Sequence, residues 1–262
     1  MSSQDDSITI LGGPTAVIDL GGQRLVVDPT FDDAGADYGY LVKTMGPALD
    51  AAEVGAADAV LISHDDHPDN LDTSGRQYAL AAGRVVTGIG SARRLGDAAV
   101  GLAPWGSVKL TRPGAKPLTV TAVPAVHGPE DGERNEAGFV NCEVVGFVLE
   151  GTGLPTVYVS GDNASVRVVA TVAARFPRID WAVLNVGAAR VSAKFGGRAL
   201  SMTSQRAAAA AQVLAPARIV PAHYSGWAHF SEGVDQIHEA FDDAGVGGLL
   251  RMVDHGVPVP ID

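Results

Sequence analysis

Short aliphatic and β-branched runs, broken by glycine and proline, dominate the start of the chain. Residues 8–11, 16–20 and 24–27 read as three strands, separated by the turn signals Gly12-Gly13-Pro14 and Gly21-Gly22-Gln23. Asp28-Pro29 closes the third, because a residue before proline is held extended and proline cannot continue a ladder. The loop beyond carries Phe31, Tyr38 and Tyr40 among Asp32, Asp33, Gly35 and Gly39, and loops of that length in compact domains are often functional.

Further apolar runs predict strands over 59–62, 84–87, 108–110, 118–123, 143–149, 156–160, 181–185 and 218–221. Helices are predicted over 73–82, from about 91, and over 167–174, 203–214 and 234–244; the fourth opens on Ser/Thr capping chemistry and the last stops at Gly245. No repeat of fixed period and no low-complexity linker divides the chain. The order predicts one α/β domain over 1–262, with two stacked sheets and outer helices.

Composition narrows the function. Of 262 residues, 46% are hydrophobic, enough for a sizeable core. The 19 basic and 30 acidic side chains give a net charge of −11, which argues against non-specific binding of nucleic acid or anionic lipid. Cys142 stands alone, so no intrachain disulfide forms; it reads as a small buried hydrophobe. The opening MSSQDDSITI lacks the basic and apolar regions of a signal peptide, and no run of about 18 apolar residues follows. These features predict a cytoplasmic protein.

The chemistry lies in a recurrence. Four strands run directly into a residue able to bind a metal: Ile62-Ser63-His64, Val123-Pro124-Ala125-Val126-His127, Val159-Ser160-Gly161-Asp162 and Val220-Pro221-Ala222-His223. Strand ends project side chains from one rim of a sheet, and imidazole nitrogens and carboxylate oxygens suit zinc and similar divalent ions. The first of these stretches continues as His64-Asp65-Asp66-His67-Pro68-Asp69-Asn70-Leu71-Asp72, a density of acidic and ligand groups that a cation would compensate. Pro68 predicts that residues 68–71 enter a helix, with Asp69 at its positive end and His67 turned to the same side.

With these motifs the chain resembles metallo-β-lactamase-fold hydrolases, nearest the branch that includes the ascorbate-phosphate lactonases. The likeness runs from the glycine-rich opening strands and Val27-Asp28-Pro29 to His223-Tyr224-Ser225-Gly226-Trp227. It implies an αββα sandwich of two mixed β-sheets with a metal site at one edge, and a signature of His-x-His-x-Asp-His followed by a His, a bridging Asp and a last His. Carried over, His64 is the first ligand, Asp69 the signature aspartate, His127 the third-motif histidine, Asp162 the bridge and His223 the last histidine. The first stretch is one residue longer than the pattern, so the second ligand is His67 counted back from Asp69 or Asp66 counted forward from His64. Imidazole favours His67, with Asp66 turned outward or behind the ligands. Asn70 stands where the pattern ends in histidine, which weakens the second metal position more than the first. Asp28, Asp66 or Asp72 are the candidates to hold the second ring nitrogens of the histidines.

The resemblance implies one or two divalent ions, zinc first, with manganese, iron or nickel as alternatives. Metal-activated water would attack a small ester or lactone, with Asp69 orienting that water and His229 donating to the substrate or a developing oxyanion. The other readings are a phosphodiesterase or nuclease, and a member of the fold that binds a ligand without turnover. The partner is a small molecule; neither nucleic acid nor membrane is expected, and a homo-oligomer is left open. Tyr224 and Trp227 read as pocket wall or core, His238 as solvated helix face and His255 as a terminal turn. Gly88-Ile89-Gly90-Ser91-Ala92-Arg93 lacks the third glycine and acidic residue of a dinucleotide fingerprint and reads as a tight strand-to-helix turn. Ser63, Ser160 and Ser201 have no nucleophile elbow.

Overall fold

The computed structural model describes residues 5–262 as a four-layer sandwich. The first sheet holds β1 (Ser7–Gly12), β2 (Thr15–Leu20), β3 (Gln23–Val27), β4 (Ala59–Ile62), β5 (Val85–Gly88) and β6 (Ala99–Leu102), with β13 (Val259–Pro260) paired outside β1. The second holds β7 (Ser107–Leu110), β8 (Leu118–Pro124), β9 (Val145–Glu150), β10 (Val157–Val159), β11 (Trp181–Asn185) and β12 (Arg218–Ala222), in spatial order β12-β11-β10-β9-β8-β7. Both sheets are mixed. β1 to β3 form an antiparallel meander and β3 to β6 run parallel, while β10 to β12 run parallel beside antiparallel β7 to β9.

Period-two alternation explains why the strands are apolar throughout. In β4, Ala59 and Leu61 face the second sheet in the central core, whereas Val60 and Ile62 face outward under helices. In β11, Trp181 and Val183 point inward, Ala182 and Leu184 outward. Helices α1 (Ala51–Val54), α2 (Thr73–Ala81) and α3 (Ile89–Leu95) cover the first sheet. Helices α4 (Val166–Arg175), α5 (Ser204–Leu214) and α6 (Val234–Asp243) cover the second, where Ala207, Ala208, Ala210 and Ala211 keep α5 close-packed. This is the αββα arrangement expected of the sequence. Among the described residues, no helix is long and apolar enough to cross a membrane.

Two elements differ from expectation. Residues 68–71 form a turn, in which the His67 carbonyl accepts from the N–H groups of both Asn70 and Leu71. The helix begins at Thr73 as expected, where the Asp72 carboxylate caps the Gly75 N–H at 2.7 Å. The strand expected from residue 143 begins at Val145, since the Glu143 carboxylate turns away to accept from the Gly90 N–H at the start of α3. A Cβ at Gly90 would run into that carboxylate, which accounts for the glycine at that position.

Candidate metal centre

β10, β11 and β12 are parallel, and β8 runs in their direction across β9, so these strands end at one rim. His127, Asp162 and His223 follow β8, β10 and β12, and His64 follows β4 of the facing sheet. The rims meet closely. Gly161, at φ 55°, sits where a Cβ would lie 2.7 Å from the Val145 carbonyl and 2.9 Å from the Ser63 Cβ, so only glycine lets Asp162 approach the His64 strand. His223 itself adopts φ 60°, a left-handed backbone that is costly for a residue with a side chain and is found at over-determined functional sites.

Two clusters result. In the first, His67 Nδ1 lies 2.9 Å from His64 Nε2 and 3.1 Å from His127 Nε2, and the three ring centroids are 5.0 Å apart pairwise. Nitrogens bound to one tetrahedral zinc stand about 3.4 Å apart, so three converging imidazoles are close to a ligand set. In the second, Asp69 Oδ2 lies 3.2 Å from His223 Nε2 and 2.9 Å from His229 Nε2. Asp162 stands between them, with Oδ1 3.4 Å from His223 Nε2 and Oδ2 3.7 Å from His127 Nδ1. Asn185, at the end of β11, fixes that carboxylate by donating to Oδ1 at 2.8 Å.

Burial sets the charges. It lowers the pKa of His64 to about 4 and of His67 to about 2, each helped by repulsion from His127, so both rings are neutral donors. Burial alone would raise Asp69 and Asp162, but the neighbouring histidines hold both below the ordinary carboxylate value. Burial likewise opposes charge on His223, yet Asp162 and Asp69 raise its pKa overall. Asp69 Oδ1, Asp162 Oδ2 and the Nδ1 atoms of His223 and His229 are buried without a hydrogen-bond partner. Buried carboxylates with free oxygens beside neutral imidazoles are what a divalent cation satisfies, so the donor set fits one.

Asp66 is not brought to the centre. It sits at the surface, 2.7 Å from the Arg94 guanidinium, as its neighbour Asp65 pairs with Arg76 and Arg94. The expected ring-nitrogen partners also differ. His64 Nδ1 meets Ser63 Oγ at 3.0 Å and His127 Nδ1 meets the Leu200 carbonyl at 2.9 Å, whereas His67 Nε2 lies 3.2 Å from Lys194 Nζ, an ammonium that offers no acceptor to that nitrogen's N–H when Nδ1 is the ligand. Asp28 instead accepts from the Ser63 N–H and from Asn70 Nδ2, and burial raises its pKa to about 7. Asp72 receives Lys43 and the Phe31, Asp32 and Gly75 N–H groups.

Sequence reasoning missed two neighbours. Cys142 Sγ completes a group with the first cluster in which all ligand atoms lie within 4.8 Å, and burial pushes its thiol pKa up. Lys194, held also by Asn141 Oδ1 at 3.1 Å, is the cation at the mouth, which Tyr40, Leu41, Ala189, Val191 and Leu200 line. Neither follows a strand or carries a motif, so no local signal marks them. His238 is exposed on α6, and His255 contacts Tyr224 at 3.3 Å, both apart from the clusters. Trp227 is buried under Lys43.

A family model described as the β-lactamase superfamily domain matches residues 23–224, the span that holds both strand-end clusters up to His223. The chain belongs to the β-lactamase superfamily. Its fold is similar to that of an isothiocyanate hydrolase from Delia radicum gut bacteria, with TM-score 0.82, 18% identity, and coverage of 97% of this chain and 99% of that one. A possible metal-dependent hydrolase from Veillonella parvula gives TM-score 0.83 and 14% identity over 98% and 100% of the two chains. CmlA, a diiron β-hydroxylase from Streptomyces venezuelae, gives TM-score 0.65 and 17% identity, covering 98% of this chain and 54% of its own. No curated protein matches the sequence. For this superfamily member, family, fold and donor chemistry together support a metal-dependent hydrolase that binds a divalent ion through its His and Asp side chains.

Proposed function

We propose that the protein hydrolyses a small ester, a lactone first, by metal-dependent attack of water, with zinc the first candidate ion. The observation that carries the reading is the mouth. Aliphatic and aromatic side chains, Tyr40, Leu41, Val191 and Leu200, surround the paired donor clusters and leave one cation, Lys194, beside them. The cavity is about 10 Å³ as it stands, so the lining argues for the chemical character of the substrate, a largely apolar acyl group with one or two oxygens, and not for its size. A phosphodiester would meet the same ions, and it is the apolar lining rather than the charge count that favours an acyl group.

A bound divalent ion supplies a water acidic enough to attack at neutral pH and an electrophile for the carbonyl oxygen. The chain does the rest. His64, His67, His127, Asp162, Asp69 and His223 would hold the ion or ions. Asp69, whose Oδ1 is buried without a hydrogen-bond partner, would orient the attacking water and accept its proton. Lys194 Nζ can donate to a substrate oxygen, and the apolar mouth excludes bulk water.

A second reading shares this chemistry. A small electrophilic carbon such as an isothiocyanate, the substrate named for the Delia radicum gut bacterial enzyme, would fit the same apolar mouth and meet the same nucleophile. The test is a panel of lactones, aryl esters, isothiocyanates and phosphodiesters, assayed with zinc-loaded and chelator-treated protein. Turnover of lactones or esters that disappears with chelation is expected. Turnover confined to phosphodiesters, or none across the panel by fully loaded protein, would overturn the proposal.

A further inference from the structure

We infer that His229 supplies the nitrogen ligand that Asn70 does not, so that Asp69, His223 and His229 form a complete second position for a divalent cation. The inference rests on the reading of this cleft as a metal centre and concerns which residues hold the second ion.

Residue 70 is engaged elsewhere. Its Nδ2 donates to Asp28 Oδ2 at 3.2 Å and to Ser63 Oγ at 3.4 Å, both on the side of the His64 strand. Those contacts make Asn70 a strut between β3 and the turn after β4. Its oxygen is buried without a hydrogen-bond partner, but as a neutral amide it is a weak donor to zinc-like ions.

His229 has the opposite character. Its Nε2 lies 2.9 Å from the same Asp69 oxygen that lies 3.2 Å from His223 Nε2, and ligand atoms of the three residues fall within 4.8 Å of one another. Asp162 Oδ1, 3.4 Å from His223 Nε2, adds a carboxylate shared with the three-histidine cluster. Two imidazoles and two carboxylates are a donor set suited to zinc, manganese or iron.

The loop is built to hold that ring in place. The His229 carbonyl accepts from the Arg190 N–H at 2.9 Å, the Ala228 N–H donates to the Val42 carbonyl at 3.0 Å, and the Ser231 N–H donates to the Gly187 carbonyl at 3.0 Å. Phe230 packs against the ring at a centroid distance of 4.6 Å. A purely structural ion pair is a poor account of the result. It would leave Asp69 Oδ1 and Asp162 Oδ2, carboxylate oxygens that an ion in the cleft could take up, buried without a hydrogen-bond partner.

The test counts metal rather than turnover. Metal-depleted full-length protein is titrated with Zn²⁺ in a calorimeter, and bound zinc is measured after gel filtration. Wild type should take two ions, His229→Ala and His229→Gln one, and Asn70→Ala two. The second-ion affinity of the His229 variants should fall by at least about 100-fold, with the first ion retained. The glutamine variant keeps volume at the site, and circular dichroism checks that each variant is folded. Two ions in both folded His229 variants at near-wild-type affinity would overturn the inference, as would loss of the second ion from Asn70→Ala alone. Wild type that takes one ion also overturns it while leaving the metal centre standing; wild type that takes none overturns the metal-centre reading itself.

Discussion

His67 turns its Nδ1, not its Nε2, toward His64, at 2.9 Å from that ring's Nε2. The orientation accompanies the lengthened motif. One residue more than the family pattern lies between His64 and Asp69, and His67 presents the nitrogen nearer its backbone to both His64 and His127. Asp66, the extra residue's neighbour, is carried outward to Arg94. His67→Ala should therefore weaken zinc binding at the three-histidine cluster by more than about 100-fold, while Asp66→Ala leaves it within a few-fold of wild type. The reverse order in a calorimetric titration would assign the ligand to Asp66.

The same rings make the metal-free protein acid-sensitive. In the unfolded chain His64 and His67 take up protons near pH 6.5, but burial holds them neutral in the folded state to about 4 and about 2. Their contribution is complete above pH 6.5 and is lost as pH falls, because the unfolded state then binds more protons. Asp28, raised by burial from 3.8 to about 7, acts in the opposite sense across 3.8 to 7. Asp69 and Asp162, held low by the histidines, act in the same sense as His64 and His67, so stability falls on balance between pH 6 and pH 4.5. Urea titrations of metal-free protein should show stability falling across that window; a flat or rising profile contradicts the neutral-ring picture.

Lys43 and Asp72 test the support beneath the site. Their ion pair, at 2.9 Å, is almost wholly buried. Lys43→Met leaves the Asp72 carboxylate without its cation and should cost about 3–5 kcal/mol in a urea titration. Replacing both, as Lys43→Met with Asp72→Asn, should recover part of that loss. A double variant no better than the single would mean that the packing of Lys43, rather than its charge, is what matters.

Gly187 addresses the position of His223. A Cβ at residue 187 would lie 2.1 Å from the His223 carbonyl and 2.7 Å from the Tyr224 Cα, contacts with backbone that cannot swing aside. Gly187→Ala should push the loop after β12 outward, costing about 1–3 kcal/mol. Because His223 moves and His64, His67 and His127 do not, one ion should be lost and the other kept. Uniform weakening of both ions in a zinc titration would argue against separate clusters.

Much of this was legible in the sequence because period-two apolar runs record which strands are covered on both faces. β4 and β11 have the expected bounds, and the strand-end positions of His64, His127, Asp162 and His223 follow from the runs that precede them. Weak patterns hid the rest. β6 is four residues containing alanine and glycine, half-exposed for most of its length, and α1 is a single capped turn. Lys194, Cys142 and the Leu200 carbonyl reach the site through tertiary packing from loops with no periodicity of their own. The placement of His229 beside Asp69, 160 residues away in sequence, depends on the loop closing over the rim.

Elemental analysis of protein purified without chelator tests the central claim most directly, because the two clusters have meaning only as a metal centre. The account predicts one to two divalent transition ions per chain as isolated, rising to two when zinc is added. Protein that carries none and takes up none on titration with zinc or manganese would contradict it.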